Sequence, residues 1–282
     1  MPQNLESCLS QKASASVADF DMDLVSHGVH FRLAAETREL LEMMWGAAPF
    51  RSSECLRAES DVRTFALRGV GAGSRYQVIA DEEQLACERL EPALLELGGH
   101  MMLHVAEQAP EHIFIHAGAV ALGNRALVLP GRSHAGKSTL VAELVRAGAT
   151  YYSDEFALID MQGQLHPFAR DLRMRRPGLP EQTPVPVSQL DGRSGSQALP
   201  VALVVFTEFA EDAQWVPEAM SPGRAVLEML VHSIAARRTP GRVLTALSAM
   251  MSHATAWRSE RGQAAPVARA LLAALATGEA PA

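Results

Sequence analysis

The chain has 282 residues, of which 48% are hydrophobic and 20% charged, and its formal net charge is −7. That length buries a sizeable core in one large or two modest domains, and the acidic balance argues against a nucleic-acid partner, which calls for a basic surface. Nowhere does an apolar run reach the roughly 18 residues that a membrane span requires.

Residues 1–20 are small and polar and read as a loose tail. They lack the basic start and apolar centre of a signal peptide, and Cys8, Cys55 and Cys87 lack metal-ligand spacing. A cytoplasmic location with free thiols is therefore the expectation. Residues 21–110 read as a small α/β domain of unassigned role. In "VHFRLAAETRELLEMMWG", Leu33, Leu40, Leu41 and Met44 recur at helical spacing and Gly46 is a stop. "RTFALRGV" and "SRYQVIAD" read as two strands joined through a glycine-rich turn. "EEQLACERLEPALLELGGHMMLHVAEQ" reads as one helix, bent around Pro92 and Gly98-Gly99.

The pattern changes near residue 112, where a second domain, 111–282, is expected to begin. "HIFIHAGAVAL" and "RALVLP" are β-prone runs separated by Gly123-Asn124, a hairpin turn. After "GRSHAGKST", "STLVAELVRAG" puts Leu140, Val141, Leu144 and Val145 on one helical face, closed by Gly148. "ATYYSDEFALID" reads as a further strand carrying Asp154 and Glu155 near its middle. Residues 176–198, dense in Pro, Gly, Ser and Gln, read as a long surface loop. "VALVVF" is a buried strand, and Ser221-Pro222 and Thr239-Pro240 start two helices. A strand, "TAWRSER", and an apolar helix, "APVARALLAALA", follow.

"GRSHAGKS" matches G-x-x-x-x-G-K-[ST] between a strand and a helix. Gly131 and Gly136 allow the tight turn, and successive N–H groups across Gly131, Arg132, Ser133, His134, Ala135, Gly136, Lys137, Ser138 and Thr139 would cradle phosphates at a positive helix end. Lys137 would neutralise the β- and γ-phosphates of ATP, and the Ser138 hydroxyl would ligate Mg²⁺. Adjacent carboxylates on a strand point to opposite faces, so Asp154 and Glu155 act together only if the chain bends there. One would then hold Mg²⁺ and the other take a proton from an attacking hydroxyl. His116 lies one strand earlier. A lone histidine on an apolar strand is more often packed than catalytic, so position alone makes it only a candidate.

"HAGAVALGNRALVLPGRSHAGKSTLVAELVRAGATYYSDE" resembles the catalytic core of the HPr kinase/phosphorylase family, bacterial serine kinases whose phosphate loop sits in a fold akin to phosphoenolpyruvate carboxykinase. His116, Gly131, Ser133, Gly136, Lys137, Ser138, Gly148 and Asp154 fall on its pattern. The resemblance spans roughly residues 112–160, is diffuse in the later helices and is absent from 1–110. It implies an α/β fold with a P-loop kinase core of that type behind the small amino-terminal domain. It implies that His116 orients the acidic pair and the phosphates, that Asp154 joins Ser138 at the metal, and that Glu155 stands in for the family's aspartate base. His134 replaces the middle glycine, and Thr139 replaces an acidic residue. "FARDLRMRRPG" stands near the place of a later signature that supports phosphorolysis, so that half of the activity is not expected. Its Arg170, Arg173, Arg175 and Arg176 fit either a phosphate contact or a solvated strand edge.

The resulting expectation is an ATP- and Mg²⁺-dependent kinase acting on a serine of a small protein or precursor peptide, since divergent relatives occur in modified-peptide biosynthesis. Family members often form homo-oligomers. A small-molecule kinase with the same loop, or a non-catalytic nucleotide-sensing or peptide-binding module, are the alternatives.

Overall fold

The computed structural model describes residues 19–55, 62–70, 75–80, 83–132, 135–175 and 182–278. The chain is α/β and divides into two compact units: Met1–Val25 with His30–Met101, and Ser26–Val29 with Met102–Ala282. The boundary expected near residue 111 thus falls earlier, inside a helix.

In the first unit, strands β1 (Phe20–Ser26), β2 (Val29–Ala35), β3 (Ser53–Glu54), β4 (Arg63–Val70), β5 (Arg75–Ala80) and β6 (Glu83–Cys87) form a sheet of order β3-β1-β2-β4-β5-β6, with helix α1 (Arg38–Gly46); helix α2 (Leu90–Gln108) crosses the boundary at Met101. β2 and β4 are parallel; β4–β5 and β5–β6 are antiparallel. Two expectations change. The helix read from Val29 begins only at Arg38, because Val29, Phe31 and Leu33 are buried at alternate positions, the period of a half-buried strand. Thr37 then caps α1, its hydroxyl accepting from the Leu40 N–H at 3.2 Å. The helix read from Glu83 begins only at Leu90, because Glu83–Cys87 pairs with β5 as an edge strand. α2 runs unbroken through Gly98-Gly99, with Pro92 in its first turn, where the missing N–H costs nothing.

The second unit continues with β7 (His112–Leu122), β8 (Arg125–Pro130), α3 (Lys137–Arg146), β9 (Thr150–Ser153), β10 (Phe156–Asp160), β11 (Gln164–His166), β12 (Leu172–Arg175), β13 (Gln182–Val185), β14 (Leu199–Phe209), β15 (Glu218–Met220), α4 (Pro222–His232), α5 (Pro240–Met251), β16 (Thr255–Arg261) and α6 (Ala264–Thr277). Its main sheet runs β11-β10-β7-β8-β14-β16-β15, with β9 also on β7. β8, β14 and β16 are mutually parallel, and β7 is antiparallel to β8 across the Gly123 turn, whose φ is 59°.

Helices cover both faces of this sheet. Ala126 and Val128 of β8 pack with Val204, Phe206, Ala225, Met229 and Leu247, the side of α4 and α5. Leu127 and Leu129 pack with Leu140, Val141, Leu144, Val205 and Leu271, the side of α3 and α6. The strict alternation along β8 sends one apolar set into each layer, which is why the strand reads as an unbroken hydrophobic run. Of the long surface loop expected over 176–198, the described part, 182–198, is not structureless. Residues 176–181 lie outside the described part, but β13 pairs with β12, and a 3-10 helix (Val187–Leu190) buries Val187 and Leu190 against the α3 side of the core. Apolar residues set between the prolines and polar residues give that segment something to bury.

Candidate functional site

β7 organises the site. Its residues 112–116 pair with β10 and its residues 119–121 pair with β9, along one edge, while 117–122 pair with β8 along the other. The glycine loop leaves β8 beside His116, with the Gly131 N–H donating to the His116 carbonyl at 3.3 Å. The bend between β9 and β10 meets the same place, the Ala117 N–H donating to the Glu155 carbonyl at 3.1 Å. The loop and the acidic pair therefore converge on two consecutive residues of one strand.

Gly136 ends the loop as the N-cap of α3 with φ 78° and ψ 16°, a left-handed conformation that glycine adopts without strain. α3 runs ten residues without an acidic group in its first turn, so its positive end is uncancelled within the helix. Lys137 at its start is buried and folds back over the loop. Its ammonium donates to the carbonyls of Gly131 at 2.8 Å and Arg132 at 2.7 Å, and lies 3.2 Å from Nε2 of His116. The lysine can only donate, and the Glu155 carbonyl accepts from the same imidazole, so the bare nitrogen of His116 faces the ammonium. Burial, and after it the lysine charge, lower the His116 pKa to about 4. Burial lowers the Lys137 pKa to about 8, against the opposing pull of Asp154 and Glu155.

The acidic pair sits at a break in what the sequence reads as one strand. Ser153 Oγ accepts from the N–H groups of Glu155 at 3.1 Å and Phe156 at 2.9 Å, turning the chain between β9 and β10. Both carboxylates consequently act electrostatically on Lys137. Asp154 is buried and accepts from the Tyr151 hydroxyl at 2.9 Å and from the Arg173 backbone N–H at 3.1 Å. Glu155 is partly exposed and pairs with Arg170 at 3.0 Å. Of the basic cluster, Arg170 thus engages the glutamate, and Arg173 supports Asp154 through its backbone. Arg176 lies outside the described residues, as do Ser133 and His134 of the loop.

Beside the loop, at the carboxyl ends of β8, β14 and β16, lies a cleft of about 590 Å³. The carboxyl edge of parallel strands is where open α/β sheets bind ligands. Gly131, Arg132 and Ala135 form one wall, and Glu208, Glu228, His232, Arg258 and Glu260 line the others. Glu228 and Arg258 pair with each other. His232, the last residue of α4, also lines this cleft, its pKa lowered by burial and then by Lys137 and Arg132. Arg261, at the end of β16, belongs to no sequence motif, yet its guanidinium donates to the Gly136 carbonyl at 2.8 Å.

Two of the sequence-read groups offer oxygens to a cation, the Ser138 hydroxyl and the Asp154 carboxylate. Each Asp154 oxygen spends one lone pair on its hydrogen bond and keeps another. One hydroxyl and one carboxylate fit Mg²⁺, which takes few protein oxygens and completes its shell with water and phosphate. Among the described residues, no three His, Cys, Asp or Glu side chains group to form an all-protein metal cage. Also among them, no helix is long and apolar enough to cross a membrane.

Compared with known proteins, the sequence matches no family model and no curated protein. What the chain does must be read from the geometry of this site.

Proposed function

We propose that the chain is an ATP-dependent kinase with a P-loop core of the HPr-kinase type, transferring the γ-phosphoryl group to a serine hydroxyl of a small protein or peptide. The observation that carries this reading is the meeting of loop and acidic pair at His116–Ala117, which sets the Lys137 ammonium within the field of both carboxylates. Phosphoryl transfer needs little more than positioning and charge stabilisation, and these groups supply the parts. The loop amides and the end of α3 bind the phosphates. Lys137 exchanges its carbonyl contacts for phosphate oxygens, with His116 steering its ammonium. Glu155, partly exposed, accepts the proton of the acceptor hydroxyl, and Arg170 holds its carboxylate in place. Ser138 and Asp154 would hold Mg²⁺, which, when bound, neutralises charge on the phosphates. The cleft lined by His232 and Glu260 leaves room for an acceptor beside the loop.

Incubation with γ-labelled ATP, Mg²⁺ and a library of serine-containing peptides tests the proposal. Label is expected on serine with the wild-type chain and none with Lys137→Ala. Equal transfer by the variant overturns it. Label on a metabolite and on no peptide would instead identify a small-molecule kinase; tight ATP binding without turnover would identify a sensor.

A further inference from the structure

We infer that Arg261 is a positioning residue of the glycine loop, aiming a backbone N–H and an uncompensated positive charge at the polyphosphate. The inference rests on the proposed phosphate site.

Arg261 ends β16, 125 residues beyond the loop glycine it touches. Its side chain is among the largest fully buried ones, with only 2% of the residue exposed. One guanidinium nitrogen donates to the Gly136 carbonyl at 2.8 Å and another to the Gly262 carbonyl at 3.0 Å, while Nε has no hydrogen-bond partner among the described residues. The plane lies over Phe209, 5.6 Å from the ring centre. No carboxylate among the described residues forms an ion pair with it. A buried cation is ordinarily matched by a buried anion, because desolvation is otherwise uncompensated. Here the neighbouring element is the loop and the start of α3, the place where an anion is expected to bind.

The contact also has a directional consequence. The Gly136–Lys137 peptide is trans, so its C=O and N–H point opposite ways. Holding the carbonyl toward Arg261 turns the Lys137 N–H away from it, toward the open end of the helix. The same carbonyl accepts from the Leu140 N–H at 3.1 Å, the first bond of α3. A charge-assisted bond to that oxygen polarises the peptide and makes its N–H a stronger donor to an anion. Gly136 is hemmed in twice, by its left-handed φ and by the guanidinium, into which a Cβ would run.

A merely structural arginine would affect all ligands alike; one aimed at phosphate affects them by charge. Equilibrium binding of ATP, ADP, AMP and inorganic triphosphate to the wild type, Arg261→Gln and Arg261→Lys separates the two. Arg261→Gln is expected to weaken ATP and triphosphate by roughly ten- to a hundredfold and AMP by at most about threefold. Arg261→Lys, which keeps the charge, is expected to restore most of the ATP affinity. Losses equal across the four ligands, or none, overturn the inference while leaving the phosphate site standing. A wild type that binds neither ATP nor triphosphate removes that site and this inference together. If the glutamine variant does not fold, the lysine variant decides alone: a loss that falls more on ATP and triphosphate than on AMP supports the proposal, and ATP and AMP weakened in equal measure, or not at all, overturn it.

Discussion

Nε2 of His116 and the ammonium of Lys137 stand 3.2 Å apart, a neutral ring facing a buried cation. The pairing works only while the imidazole is uncharged. Burial, reinforced by the lysine, holds it so down to a pKa of about 4. A histidine in water titrates near 6.5, so the unfolded chain takes up that proton first, and folding stability falls as pH drops through the window from 6.5 to 4. The difference in melting temperature between wild type and His116→Gln should therefore narrow as the buffer is taken from neutral to pH 4. A constant difference would argue against this coupling.

Lys137 acts in the same sense at the alkaline end. With its pKa lowered from 10.5 to about 8, the unfolded chain holds more protons between those values, and stability rises as pH rises through them. Affinity for an anion moves the other way, since the neutral amine no longer attracts phosphate. ATP titrations are expected to weaken above pH 8, and the trend should vanish in Lys137→Met.

Glu155 separates chemistry from binding. Glu155→Gln should slow phosphoryl transfer by roughly a hundredfold or more, the usual worth of a general base, while ATP affinity changes little. Single-turnover rates measured beside binding constants check this. Arg170→Ala frees the glutamate and should lower kcat less than the glutamine substitution does.

Tyr151 is a test of how Asp154 is held. Its hydroxyl, driven to a high pKa first by burial and then by Asp154, remains a donor throughout the accessible pH range. Tyr151→Phe leaves a buried carboxylate oxygen without that donor and should cost about 1–3 kcal/mol in denaturant unfolding.

Two glycines distinguish loop damage from fold damage. Gly136→Ala meets both a φ of 78° and Arg261, and should lose ATP binding along with roughly 1–2 kcal/mol of stability from the backbone alone. Gly163→Ala, with φ 79° and the backbone of Met250 in the way, should destabilise the fold while the chains that remain folded bind ATP normally.

The core from β7 through α3 was legible because its signals are local: an unbroken apolar strand, two glycines at fixed spacing, a helical face from Leu140 to Val145. Strands decided by their neighbours were not. Glu83–Cys87 is mostly exposed and made of helix-forming residues, and only pairing with β5 extends it. Leu33 fell in step with Leu40 and Leu41 by coincidence, which merged a strand and a helix into one apparent period. His232 and Arg261 carry no motif at all. They reach the loop from β16 and α4, far along the chain, and only the parallel sheet brings the carboxyl ends of those elements to it.

Because loop and acidic bend are anchored to the carbonyl and the N–H of one peptide group, His116–Ala117 of β7, the distance between them is fixed by a single rung of the ladder. The opposite wall of the cleft is built on α4 and β16, and the side chains that line it take no part in that rung. Under the proposed function, substitutions at Val231, His232 and Glu260 would reshape what enters the cleft, so engineering of acceptor preference belongs there, never on the rung itself.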